Sequence, residues 1–150
     1  MYRKILLAFD GSEAGRTALF ECSDVAALVK AEIHLIAVVQ PLPAAVLYEV
    51  VVADTPDLAD ETQRFQRVLD EGVNILRERG YECTGHLARG EPVDQIADAA
   101  RRLGVDLIIV GHRRAKGWAE RWWRGSLGAT LMDSAPCSVL ISLNQPQKKA

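Results

Sequence analysis

The chain has 150 residues, 49% of them hydrophobic and 25% charged, with a formal net charge of -2. That length supports one domain, spanning 1–150, whose core needs neither disulfides nor a structural metal. The near-neutral balance excludes a surface coated in positive charge for polyanions, although it leaves room for a local basic patch.

Three cysteines, Cys22, Cys83 and Cys137, are widely spaced and form no C-x-x-C pair. They read as small core residues in a reducing compartment rather than as a zinc site or a disulfide framework. No uninterrupted apolar run reaches membrane-spanning length, and charge resumes at Asp10 and Glu13 with no cleavage-site pattern. The expectation is a cytoplasmic protein without a membrane partner.

Residues 5–9 are an apolar run that stops at Asp10-Gly11-Ser12. Ser12 is placed to cap a helix whose apolar positions are Ala18, Leu19, Cys22, Val25, Ala26 and Val29, and Glu13 suits its positive end. Continuous hydrophobicity over 33–39 predicts a strand buried on both faces. Pro41 and Pro43 close it. Residues 44–53 are apolar around Glu49, and packing over the sheet is favoured there above a lid or a subunit contact. Residues 54–60 are turn-like, with Pro56. Phe65, Leu69, Val73 and Leu76 then share one helical face, and Gly80 ends that helix.

A weaker, alternating strand is expected over 81–87. Gly90-Glu91-Pro92 turns into a helix carrying Val93, Ile96, Ala97, Ala100 and Leu103, with Pro92 at its first position and Gly104 after it. Leu107-Ile108-Ile109-Val110 is too short for a helix and β-branched enough for a buried strand, ending at Gly111. A long loop leads to Gly125-Ser126 and a last helix holding Gly128, Leu131, Met132 and Ala135. Residues 137–143 make a fifth strand, and 144–150 a frayed polar tail.

Strands alternating with helices predict a mainly parallel sheet with helices on both faces. If winding reverses after the third strand, the order is 3-2-1-4-5 and the first and fourth strands become neighbours. Their carboxyl ends then form the crevice in which open α/β sheets bind ligands. Asp10 and Gly111 stand at those ends. A carboxylate at Asp10 can accept from ribose hydroxyls or an adenine amino group; the competing reading is a turn residue before Gly11. Gly125-Ser126 opening a helix can cradle a phosphate on unpaired N–H groups, or Ser126 can simply cap it.

The histidines His34, His86 and His112 lack metal-ligand spacing, and no nucleophile elbow appears. The loop 113–124 mixes Arg113, Arg114, Lys116, Arg121 and Arg124 with Trp118, Trp122 and Trp123. Basic and aromatic residues together suit single-stranded nucleic acid, but tryptophans packed against the body or a second subunit are the favoured reading.

Over essentially its whole length the chain resembles the small single-domain, UspA-like universal stress proteins. The likeness rests on residues 3–12 (Arg3 to Ser12), Gly90-Glu91-Pro92 with Ile96 and Ala100, Asp106 through Gly111, and Gly125-Ser126 with Pro136-Cys137-Ser138-Val139-Leu140. It implies a five-stranded open parallel sheet, Rossmann-like and of the adenine nucleotide alpha hydrolase-like kind. It also implies a homodimer joined through the last strand, from Ser138 to Leu143. ATP-binding members share a Gly-x2-Gly-x9-Gly-Ser/Thr loop. By that likeness the nucleotide site would be Asp10, the Val38 backbone, Gly111, Arg114, Gly125, Ser126 and the Leu127 N–H.

The chain departs from that pattern twice. Arg114 stands where the second glycine belongs, and thirteen residues separate Gly111 from Gly125 where the pattern has twelve. Arg114 either blocks the phosphate site or supplies a charge-assisted contact to it, and Gly117 offers another turn. The resemblance therefore implies a stress-response sensor or regulator holding ATP, with Mg²⁺, or another adenine nucleotide. The alternative is a dimeric interaction module that binds no nucleotide and meets an unknown protein partner. A slow ATP hydrolase ranks last, because no general base or second carboxylate is evident near the loop.

Overall fold

The computed structural model describes residues 1–41, 57–113 and 127–144. The expectations for 44–53, for Arg114 and the tryptophan-bearing loop, for Gly125 and Ser126, and for the tail beyond Asn144 lie outside the described residues. Five strands form one parallel sheet: β1 (Lys4–Ala8), β2 (Glu32–Val39), β3 (Cys83–Arg89), β4 (Leu107–Arg113) and β5 (Ser138–Asn144). Their order is β3-β2-β1-β4-β5, so winding reverses between β3 and β4 as the alternation predicts. The helices among the described residues are α1 (Glu13–Val29), α2 (Asp57–Glu78), α3 (Pro92–Leu103) and α4 (Leu127–Ser134).

Two cores follow from the period-two alternation of buried strands. On one face Ile5, Leu7, Ile33, Leu35 and Ile109 meet α1 and α2 through Leu19, Cys22, Leu69 and Leu76. On the other, Leu6, Ile36 and Ile108 meet α3 and α4 through Ile96, Ala100 and Leu131. Register aligns Ile5 with both Ile33 and Leu107, stacking branched side chains across three strands.

Local chemistry sets the helix ends. Ser12 caps α1, its hydroxyl oxygen accepting from the Gly15 N–H at 3.0 Å. Gly80 closes α2, with the Tyr81 N–H returning to the Leu76 carbonyl at 3.0 Å. Pro92 opens α3, and Gly104 ends it in the left-handed region at φ 65°. At the base of the sheet, the Asp106 carboxylate accepts from the backbone N–H of Arg3 and of Lys4, each at 3.0 Å, which ties β1 to the start of β4. Burial pushes the Asp106 carboxyl up, but those N–H donors outweigh it and hold the group below its ordinary value.

Three elements differ from the sequence reading by two residues or more at a boundary. Helix α2 starts at Asp57, inside the expected turn, and Asp60 and Glu61 near its start suit a helix's positive end. Strand β3 begins two residues later than expected, because Tyr81 is used to close α2 and pairing with β2 runs from Ile33↔Cys83 to Val39↔Arg89. Gly111 does not end β4. The strand continues to Arg113, since β5 keeps pairing with it through Arg113↔Asn144.

Candidate functional site

The sheet has a notch where β1 is short. Strand β1 spans 5 residues between β2 of 8 and β4 of 7. Its last bond to β2 is from the Phe9 N–H to the Ile36 carbonyl, at 2.9 Å. Beyond that point β2 and β4 run on, and the gap between them is a cleft of about 490 Å³. Its floor is apolar, built from Ala8, Ile36, Val38, Ile96 and Val110. The position is the switch point of the winding, where open α/β sheets take their ligands.

Asp10 stands on the rim and is exposed. The turn that presents it needs glycine twice. Gly11 has φ 77°, a left-handed conformation that favours glycine, and a Cβ there would touch Val68 on α2 at 3.1 Å. Gly15 leaves room for the carboxylate itself, because a Cβ at that position would lie 2.8 Å from Asp10 Oδ1. Asp10 Oδ1 accepts from the Ser12 N–H at 2.9 Å and from the Ser12 hydroxyl at 2.5 Å. One carboxylate oxygen is thus fixed by the turn that starts α1, so the turn reading and the binding reading of Asp10 are compatible.

Val38 contributes its backbone. Peptide groups of alternate strand residues point the same way. Ile36 turns its carbonyl towards β1, so Val38, two residues on, directs its N–H and C=O past the end of β1 and along the cleft wall. Its neighbour Val39 faces the other way, its carbonyl accepting from the Gly90 N–H at 3.0 Å.

Gly111 lines the opposite wall and pairs with Ser142 of β5. A Cβ there would lie 2.4 Å from the Ala14 carbonyl oxygen and 3.0 Å from the Gly15 nitrogen. Its lack of a side chain therefore admits the first turn of α1 against β4. Leu127 is the first residue of α4.

The structure thus brings Asp10, Val38 and Gly111 together. It also adds residues that sequence reading did not assign to a site. Helix α2 walls the cleft with Glu61, Arg64 and Phe65, and Gln40 lies on the rim just after β2. The signal for them was present: Glu61, Arg64 and Phe65 sit at i, i+3 and i+4, so they share one helical face. Phe65 reads from its spacing as a core residue, and it does pack against the first core, but it serves the cleft as well. The charged groups on the described lining are Asp10 and Glu61 against Arg64.

The chain matches the Universal stress protein family over residues 1–142. The universal stress protein YxiE of Bacillus subtilis (strain 168) is 30% identical to it, over 94% of this chain and 99% of that one. Among solved structures, a universal stress protein from Archaeoglobus fulgidus in complex with dAMP superposes with a TM-score of 0.65 at 20% identity, over 93% of this chain and 97% of that one. A universal stress protein family protein from Arabidopsis thaliana with AMP bound gives a TM-score of 0.67 at 18% identity, covering 99% and 95%. With a family match across nearly its full length and the notched parallel sheet beneath it, the chain belongs to the universal stress protein family.

Proposed function

We propose that the chain binds an adenine nucleotide in the cleft beyond the end of β1 and acts as a stress-response sensor or regulator, without rapid turnover. One observation carries this reading: a carboxylate, an outward-facing peptide and an apolar floor converge in about 490 Å³ at the winding switch point. An adenine edge carries a donor and an acceptor side by side, which complements the Val38 C=O and N–H. The ribose hydroxyls can donate to the Asp10 oxygen that the turn leaves over. Phosphates would extend from there towards the start of α4, with Gly125, Ser126 and Arg114 as their proposed partners and Mg²⁺ accompanying ATP. The AMP and dAMP held by the two structural relatives support the same ligand class. Asp10 and Glu61 are the carboxylates on the described lining, which also holds no Ser, Cys, His or Lys side chain. Binding is thus better supported than bond cleavage.

Calorimetry with AMP, and with ATP plus Mg²⁺, tests the proposal. Asp10→Asn keeps an oxygen for Ser12 but removes the charge. It should weaken binding roughly 10–100-fold, the range of a charge-assisted hydrogen bond. Millimolar nucleotide that gives neither heat nor a shift in melting temperature would falsify the reading.

A second reading is a nucleotide-independent module that pairs with a twin through Ser138 to Leu143 in a cytoplasmic setting. The Gly111 geometry favours it to this extent: packing of α1 accounts for that glycine with no phosphate nearby. A dimer in sedimentation with no nucleotide uptake supports this module and defeats the first reading.

A further inference from the structure

Away from the cleft, on the α3 face of the sheet near its β3 edge, two imidazoles meet. His34 Nδ1 lies 3.0 Å from His86 Nε2, with the ring centroids 5.2 Å apart and the rings tilted by 34°. The His34 side chain is only 7% exposed, and its other nitrogen, Nε2, lies 3.0 Å from Glu32 Oε1. That second contact is short but not aligned as a hydrogen bond. His86 is partly exposed on β3, an edge strand. Charged groups on this face, among the described residues, include Lys4 of β1, in register with Glu32 and bonded to the Leu103 carbonyl at 3.3 Å, and Arg102 of α3.

Proton counting limits what this pair can hold. A neutral pair needs one N–H and one lone pair between the rings. Glu32 beside Nε2 favours the His34 proton there, which makes His34 Nδ1 the acceptor and His86 Nε2–H the donor. One further proton fits on His86 Nδ1 and leaves that bond intact. A second would have to take the His34 lone pair, setting donor against donor and charge against charge at 3.0 Å. Burial, then His34 and Arg102, holds the His86 pKa below its ordinary value, which disfavours charge on the edge-strand ring.

We propose that the His34–His86 contact is an acid-sensitive latch that clips edge strand β3 to β2 and lets go when both rings are protonated. His34 is walled in on a central strand, so the ring on the edge strand is the one that moves. Strand β3 has a strand on one side only, and Gly85 in its middle lets α2 lie close, since a Cβ there would be 3.1 Å from Val73. At its far end Arg89 bonds to Thr62 on α2, the helix that walls the cleft, so release reaches the cleft's framework. The latch does not depend on what the cleft binds.

The test is amide hydrogen exchange from pH 7.5 to 4.5, corrected for intrinsic rates, with NMR titration of both imidazoles in the same samples. His86→Gln keeps an N–H donor for His34 and removes the titration. In the unaltered protein, β3 protection should fall by up to about tenfold per pH unit for each linked proton, while β1 keeps its protection. His86→Gln should flatten that fall. The latch is overturned if β3 and β1 lose protection in parallel, or if His86→Gln shows the same fall. It is equally overturned if both rings become charged while β3 stays protected, a readout that holds even should the variant fail to fold.

Discussion

Replacing Gly111 with alanine puts a methyl group where α1 already lies. The new Cβ would be 2.4 Å from the Ala14 carbonyl oxygen, 2.7 Å from its carbon and 3.0 Å from the Gly15 nitrogen. All three are backbone atoms in the first turn of a helix, so no side chain can swing aside. Relief needs a shift of about 1 Å between α1 and β4 to restore ordinary contact. Overpacking typically costs about 1–3 kcal/mol, and a backbone clash belongs near the top of that range. For a chain of this size each kcal/mol lowers the melting temperature by about 2–4 °C, so a fall of roughly 6–12 °C is expected. Gly104→Ala is the control. Unlike Gly111 in its strand, it occupies a left-handed position, φ 65°, but a Cβ there meets nothing within 4 Å, so only conformational strain of about 1 kcal/mol applies. Thermal unfolding followed by circular dichroism compares the two. If Gly111→Ala melts no lower than Gly104→Ala, the close approach of α1 to β4 is not what requires glycine at this position.

Asp106 carries a pH prediction. Its folded pKa lies below the ordinary value, so the folded state binds fewer protons there and the carboxylate's contribution is present above about pH 4. It fades as pH falls through the folded pKa, so the gap in urea midpoint between the unaltered protein and Asp106→Asn should be full at pH 6 and shrink steadily as pH falls below about 4. A gap that widens on acidification contradicts the sign. The cysteines supply another check. Burial pushes the Cys22 thiol up to about 12 and, against a lowering by Arg77, the Cys83 thiol up to about 11, whereas Cys137 is only partly buried. A thiol reagent at pH 8 should modify Cys137 first and the other two only as the chain unfolds. Mass spectrometry showing Cys22 labelled as fast as Cys137 in the native protein would refute that.

What could be read from the sequence is what local periodicity and punctuation encode. Ser12, Pro92 and Gly104 mark helix ends by their own backbone chemistry, and each does so in the structure. The strand order followed from alternation together with the reversal after the third strand. The rest depends on register, which one sequence does not display. Gly111 looks like a strand terminator until β5 is seen pairing beyond it. The expected β3 was two residues early because the Tyr81 N–H is taken by the end of α2. His34 and His86, 52 residues apart, meet only because β2 and β3 pair with Ile36 opposite His86. Arg64 and Glu61 carried a helical spacing but no sign of which neighbour that face would meet.

The site itself is a consequence of where α1 begins. A residue such as Gly11, at φ 77°, turns the chain out of the sheet immediately after Phe9, and Ser12 then caps a helix that rises against β4. That early departure makes β1 shorter than both neighbours. The same compact turn requires glycine at 15 beside the Asp10 carboxylate, and glycine at 111 beside Ala14. Strand β2, held on its far side by β3, has no reason to stop where β1 does, so the Val38 peptide is left facing the gap. Peptide groups seek polar partners, and this half-buried one is placed to take a partner that enters the notch. The turn, the glycines and the cleft therefore form one device: lengthening β1 by two residues would extend the sheet, satisfy Val38 with protein and close the cleft.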